Sequence, residues 1–205
     1  MGYLFLDIES YVDLTNERSG LNPFFDESKI FLISYNYYNL DSPPNENQIK
    51  SPNFLCEWEI GSEEKLITEF YNILKNIQKS DKMLKIIGFN HLPYDLPYLY
   101  SRLLKYNVSD GKELFDLIFS LPRHIDLAQL AMAISENTKK SNDFRCISQK
   151  VINSYFNIPI KKDNGKDISI YYRQKNYQKI MQYVKEEFTF EMLYNSVLNY
   201  FLFVK

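Results

Sequence analysis

Four apolar or aromatic residues, Tyr3-Leu-Phe-Leu6, run straight into two carboxylates, Asp7 and Glu9, separated by one residue. Such a run reads as a buried strand over residues 2–8. Side chains alternate faces along a strand, so Asp7 and Glu9 leave the same face at its end. Two like charges that close repel each other and are costly to desolvate unless a cation sits between them. An oxygen-only pair of this kind suits Mg²⁺ or Mn²⁺. A strand that merely ends in water would carry the same Asp-x-Glu, so the decision rests on the rest of the chain.

The pattern downstream supplies a sheet and its helices. Lys29–Tyr38 is apolar and β-branched enough for a second strand, and Phe54–Ile60 alternates as a third. The polar stretch Asn39–Asn53, with Pro43, Pro44 and Pro52, reads as their connection. Ser62-Glu-Glu-Lys65 is a helix start with acidic residues in its first turn. Leu66, Phe70, Ile73, Leu74 and Ile77 then form one apolar stripe. Leu84–Phe89 and His124–Leu127 read as short strands. Leu96–Tyr106, Ala128–Ser135 and Ile147–Phe156 read as helices, and Asn176–Val204 as one long or kinked helix. Asn137–Asp143 reads as a polar loop, and the basic 161–175 segment as exposed. Strands first, then helices alternating with short buried strands, predict an α/β mixed sheet with helices on both faces.

Composition narrows the class. The 205 residues fit one domain over 1–205, and a hydrophobic fraction of 45% makes it globular. Cys56 and Cys146 are the two cysteines, far apart and without a CxxC pair, which argues against a zinc site or a disulfide scaffold. The N-terminus enters the strand with no basic leader, so no signal peptide is expected, and no apolar run is long enough to span a bilayer. A cytoplasmic setting with no membrane partner is the expectation. A formal net charge of −2 excludes a protein that coats DNA by bulk positive charge. Neutralising four carboxylates at a metal centre would leave a mildly basic surface, compatible with a nucleic-acid substrate.

Two further clusters carry chemistry. In Gly88-Phe-Asn-His-Leu-Pro-Tyr-Asp-Leu-Pro-Tyr-Leu99, Asn90 follows a strand and Asp95 stands where a helix begins. Asn90 as a turn former and Asp95 as a helix cap are equally compatible with these positions. In Tyr183-Val-Lys-Glu-Glu-Phe188, Tyr183 and Glu187 are four apart and share a helical face. Asp-x-Glu at 7 and 9, Asn-x₃-Tyr-Asp at 90–95 and Tyr-x₃-acid at 183–187 resemble, in order, the three motifs of the DEDD 3′–5′ exonuclease superfamily. The segment Gly88–Leu99 is most similar to the second motif of the proofreading exonuclease domain of family B DNA polymerases and their stand-alone relatives. His124-Ile-Asp-Leu127 and Ser148–Pro159 resemble segments that follow it, so the likeness spans essentially the whole chain, without a polymerase domain.

The resemblance implies a ribonuclease-H-like fold with a five-stranded mixed sheet. It implies metal-dependent 3′–5′ exonuclease activity on DNA, with single-stranded or frayed 3′ ends as substrate and nucleoside 5′-monophosphates as product. Two divalent ions, Mg²⁺ or Mn²⁺, would be held by Asp7, Glu9, Asp95 and Glu187. Tyr183 would orient the attacking water, and its place four before the last carboxylate matches the Tyr subtype. Asn90 would contact substrate. The family's last carboxylate is normally Asp, whereas Glu187 stands here. Backbone adjustment, recruitment of Glu186 or weakened metal binding are three ways to meet that difference. A non-catalytic nucleic-acid-binding module and an RNA-directed exonuclease are the alternatives on the same fold. Asp126, in His-Ile-Asp-Leu, reads as a helix cap ahead of a metal-tuning carboxylate. The basic 161–175 segment reads as a solvated loop ahead of a substrate-tracking one.

Overall fold

The computed structural model describes residues 1–12, 28–134, 147–160 and 165–203. The apolar run is the middle of β1 (Gly2–Tyr11), buried through Leu6 because both its faces are covered. β1 pairs antiparallel with β2 (Lys29–Asn39), which pairs antiparallel with β3 (Asn53–Cys56). On its other side β1 pairs parallel with β4 (Lys85–Gly88), and β4 pairs parallel with β5 (Arg123–Asp126). The order β3-β2-β1-β4-β5 is the mixed five-stranded, ribonuclease-H-like sheet.

The helices are α1 (Glu57–Ile60), α2 (Glu63–Ser80), α3 (Asp95–Lys105), α4 (Gly111–Phe115), α5 (Leu127–Ile134), α6 (Gln149–Tyr155), α7 (Gly165–Arg173), α8 (Tyr177–Glu187) and α9 (Phe190–Phe203). α2 and α3 cover one face, where Leu4, Leu6 and Ile8 meet Leu66, Phe70, Leu74, Leu99 and Leu103. Tyr3 and Phe5 point to the other face, under α5, α6 and α9. Asp7 and Glu9 have the parity of Tyr3 and Phe5 and share that second face. α7 and α8 continue the cover over Phe31, Leu32 and Cys56. Among the described residues no helix is long and apolar enough to cross a membrane.

Three readings of the sequence are corrected. The third strand stops at Cys56, and Glu57–Ile60 turns into α1, closed by Gly61 in the left-handed conformation at φ 101°. Tertiary contacts override the alternation: Glu57 accepts from Lys29 at 3.1 Å and from the Tyr172 hydroxyl at 2.6 Å, while Trp58 stacks on Tyr177. The last helix is two helices, α8 and α9, broken at Phe188–Thr189. From residue 165 the basic segment is helix α7, with Ile168 and Ser169 buried against β1 and β2, so it is no solvated loop. Its first residues, Lys161 and Lys162, the Asn137–Asp143 loop and Cys146 lie outside the described residues. α4 and the π-helical turn Asp116–Ser120 that follows it were not read from the sequence at all.

A buried ion pair ties the first face together. Glu63, 5% exposed in the first turn of α2, accepts from the Ile30 amide and the Arg102 Nε, each at 2.7 Å. Its other oxygen accepts from the Tyr106 hydroxyl at 2.8 Å and from Arg102 Nη2. One carboxylate thus joins α2, α3 and the start of β2, with both charges hydrogen-bonded. Removing one member leaves the other charge buried and uncompensated, which typically costs about 3–5 kcal/mol. Arg102→Met should therefore lower unfolding free energy by about that amount in a urea titration, and a loss under about 1 kcal/mol would refute the buried-pair account.

Candidate metal centre

The sheet places the site by ending one strand early. β1 and β4 pair from Tyr3↔Lys85 to Phe5↔Ile87, and β4 ends at Gly88, while β1 continues to Tyr11. Asp7 and Glu9 therefore project beyond the end of β4, above the turn that leads into α3. A glycine is required at 88 because a Cβ there would stand 2.8 Å from the Leu6 carbonyl oxygen and 3.0 Å from the His91 Cβ.

Asp7, Glu9 and Glu187 converge. Each offers one carboxylate oxygen, and the three oxygens lie within 4.8 Å of one another, with all three residues half-buried. Glu187 closes α8, where the helix dipole disfavours a negative charge. Its longer arm reaches the other two carboxylates. Glu186 points elsewhere and accepts from Gln182 Nε2 at 2.9 Å beside Trp58 and Tyr177. The break after Glu187 is held from outside: Gln149 Nε2 donates to the Glu187 carbonyl at 2.8 Å and to Thr189 Oγ1 at 3.2 Å. Asn153 Nδ2 adds a bond to Thr189 Oγ1 at 2.9 Å. Gln149, Asn153 and Thr189 carry no local signature in the sequence, because polar residues that brace a distant backbone are marked only by the fold.

Tyr183 lies one turn back on α8, 3% exposed, and its hydroxyl is hydrogen-bonded to Glu187. Burial, then the charges of Glu187 and Glu9, push its pKa far up, so the phenol stays protonated. A Cβ built on Gly165, the first residue of α7, would lie 3.5 Å from the Tyr183 hydroxyl oxygen.

Asp95 is not among the carboxylates whose oxygens lie within 4.8 Å of one another. It is the first residue of α3, and its carboxyl accepts from its own amide and from that of Ile8, beyond the end of β4. Burial raises its pKa well above the carboxylate range, and the charges of Asp7 and Glu187 raise it further. Asn90 stands at the tip of β4 with φ 61°, the left-handed conformation that Asn tolerates better than most residues. Asp126 does not join the carboxylate cluster: it turns toward the β4–α3 turn and accepts from the amides of Asn90 and Leu92 and from Ala128 in α5.

Asp7, Glu9 and Glu187 thus come together at one sheet edge, Tyr183 bonds Glu187, and Asp95 feels the charges of Asp7 and Glu187 without joining the group. A set of carboxylate oxygens fits a hard divalent cation such as Mg²⁺ or Mn²⁺ better than a soft one. Fold and centre together define an α/β protein of ribonuclease-H-like topology with a carboxylate cluster at the end of its first strand. No family model matches the chain, and no curated protein matches it. Among solved structures, the zinc-ion-bound form of the E. coli ExoI–ssDNA complex is similar at 13% identity and a TM-score of 0.44, over 64% of this chain. The match covers 29% of that structure's chain, well short of its full length.

The cluster has a cost when no cation is bound. A carboxyl whose pKa rises on folding holds its proton more tightly in the fold than in the unfolded chain. The ion-free protein therefore loses stability as pH climbs from the ordinary carboxylate range through the raised value of Asp95. Asp7→Asn removes one of the repelling charges. In EDTA at pH 8 it should stabilise by about 1 kcal/mol and raise the melting temperature by about 2–4 °C. Calorimetry that finds a lower melting temperature would contradict a repulsive cluster.

Proposed function

We propose that this protein is a divalent-metal-dependent 3′–5′ exonuclease acting on DNA, with single-stranded or frayed 3′ ends as its substrate. The observation that carries the reading is the convergence of Asp7, Glu9 and Glu187 within 4.8 Å, from a strand end and a distant helix end. Carboxylates gathered against their own repulsion from two distant elements are a pattern that functional sites favour. The ordered motif resemblance supplies the polarity and the substrate class.

Asp7, Glu9 and Glu187 would hold Mg²⁺ or Mn²⁺, and Asp95 would complete a second position beside Asp7. Two such ions would neutralise the scissile phosphate and lower the pKa of a bound water. Tyr183 has a narrower task. Its hydroxyl is kept protonated by burial and by the acidic residues around it, so it orients a water through hydrogen bonds and does not abstract a proton. Asn90, at the tip of β4 beside the second motif, would contact the substrate strand. The Glu187 arm keeps the third carboxylate within reach, which supports a working centre over a binding module whose metal site has been lost.

The test is degradation of 5′-labelled single-stranded DNA with Mg²⁺ or Mn²⁺, beside an EDTA control and Asp7→Ala. A metal-dependent ladder that shortens from the 3′ end and vanishes in the variant is the expected result. A folded wild type that binds DNA and leaves it intact would turn the reading to a non-catalytic module. Faster degradation of an RNA of the same sequence would move the substrate class to RNA. Tyr183→Phe should keep substrate binding and lower kcat about 100-fold, the scale of a misplaced reactant, in single-turnover assays. An unchanged rate would remove Tyr183 from the mechanism.

A further inference from the structure

We propose that Asp126 is a positioning residue: its carboxylate fixes the β4–α3 turn, and through it the place of Asn90 and Asp95 relative to Asp7 and Glu187. The inference rests on reading the carboxylate cluster as a nuclease metal centre.

Asp126 is the last residue of β5, in register with Gly88, the last residue of β4. Its side chain is therefore beside the turn at the point where the chain leaves the sheet. It is 4% exposed. Oδ1 accepts from the Asn90 amide at 2.8 Å and from the Ala128 amide at 3.0 Å. Oδ2 accepts from the Leu92 amide at 3.2 Å.

A helix cap accounts for one of these three bonds, the one to Ala128 at the start of α5. The other two cross to a turn that belongs to neither a strand nor a helix. Asn90 within it holds a left-handed backbone at φ 61°, which its residue type accommodates and the Asp126 bond to its amide fixes in place. The turn's own backbone bond runs from the Leu96 amide to the His91 carbonyl at 3.0 Å. Asp126 thus ties down the segment between Gly88 and Asp95 near its start, and α3 carries Asp95 from its end.

The buried imidazole of His91 lies below the turn, with Nδ1 3.8 Å from Asp126 Oδ2 and its ring 5.8 Å from that of His124. Burial pulls its pKa down to about 4, so at neutral pH His91 is neutral and leaves the Asp126 charge to the amides. Charge-assisted bonds to backbone N–H groups are about twice as strong as neutral ones, which suits a residue whose work is to hold a turn. Residues that orient metal ligands from outside typically cost about 10–100-fold in metal affinity or activity when changed.

Asp126→Ser separates capping from positioning, because Ser caps a helix well but is too short to reach Asn90 and Leu92. Asp126→Asn is the conservative partner, keeping one acceptor oxygen. Two measurements are made on wild type and both variants. Amide hydrogen exchange at Asn90 and Leu92, with no metal present, reads the turn. Mn²⁺ titration followed by electron paramagnetic resonance reads the ions.

In Asp126→Ser, exchange at Asn90 and Leu92 should rise at least about 10-fold, with the amides of β1 unchanged. The weaker Mn²⁺ affinity should fall about 10–100-fold while the tighter one holds, and Asp126→Asn should fall between Ser and wild type. DNA hydrolysis by the same proteins should lose kcat, and KM should rise as Asn90 is displaced. Exchange at Asn90 and Leu92 equal to wild type in Asp126→Ser would overturn the proposal and leave Asp126 as a cap. So would two Mn²⁺ affinities unchanged by the substitution. A wild type that binds no Mn²⁺ would end the nuclease reading and the proposed link to the ions with it, whatever the exchange shows about the turn.

Discussion

β1 and β4 pair in parallel from Tyr3 to Phe5, and then β4 turns away while β1 runs on to Tyr11. Parallel pairing puts the carboxyl ends of both strands at one edge of the sheet, and the early end of β4 opens a step there. Side chains of β1 beyond that step project over a turn instead of a neighbouring strand. The site depends on this arrangement. Asp7 and Glu9 occupy the half-buried end of β1 beyond β4, Asp95 rises from the turn and bonds the Ile8 amide, and α8 brings Glu187 across from the second face. Gly88 makes the step possible, since any side chain there would collide with Leu6 and His91.

The chain uses buried carboxylates in two opposite ways. Glu63 is enclosed by Arg102, Tyr106 and the Ile30 amide, so its charge is met by fixed donors and the pair welds α2, α3 and β2 together. Glu191 is handled similarly, accepting from Asn36 Nδ2 at 2.8 Å and from the Tyr38 hydroxyl at 3.2 Å, and these bonds moderate the rise in pKa that burial causes. The cluster at the sheet edge is different. There the carboxylates face one another, Asp95 is pushed toward its protonated form, and Glu187 stands at the unfavourable end of a helix. Glu63 and Glu191 are thus set among donors, whereas the cluster brings Asp7, Glu9 and Glu187 within 4.8 Å of one another.

The support behind the cluster is built from long-range polar contacts. Gln149 and Asn153 on α6 hold the break between α8 and α9, which lets Glu187 close one helix while Phe190 opens the next into the core. Glu57 and Trp58 on α1 grip α7 and α8 through Tyr172 and Tyr177, fixing the outer side of the helix that carries Tyr183. Asp126 does the equivalent for the turn under Asp95. These braces come from segments far apart in the chain, and none of them coincides with a carboxylate of the cluster.

Local pattern alone determined a good deal. The continuous apolar runs of β1, β2 and β4 and the stripe on α2 are set by strand burial and helical pitch, which act within a few residues. The Asp7–Glu9 pair followed from strand alternation, whereas Asp95, Tyr183 and Glu187 were singled out by the resemblance of their motifs and not by residue type and spacing alone. Only tertiary structure decided which of Glu186 and Glu187 turns inward, because adjacent helical positions differ by rotation and the packing of α8 chooses between them. Packing likewise converted Glu57–Ile60 from strand to helix, buried one side of α7, and broke the last helix at Phe188–Thr189. Asp126 shows the limit most clearly. Its residue type permitted a cap or a metal neighbour, and the parallel register of β4 with β5 aimed it at the turn, a choice made by partners remote in sequence.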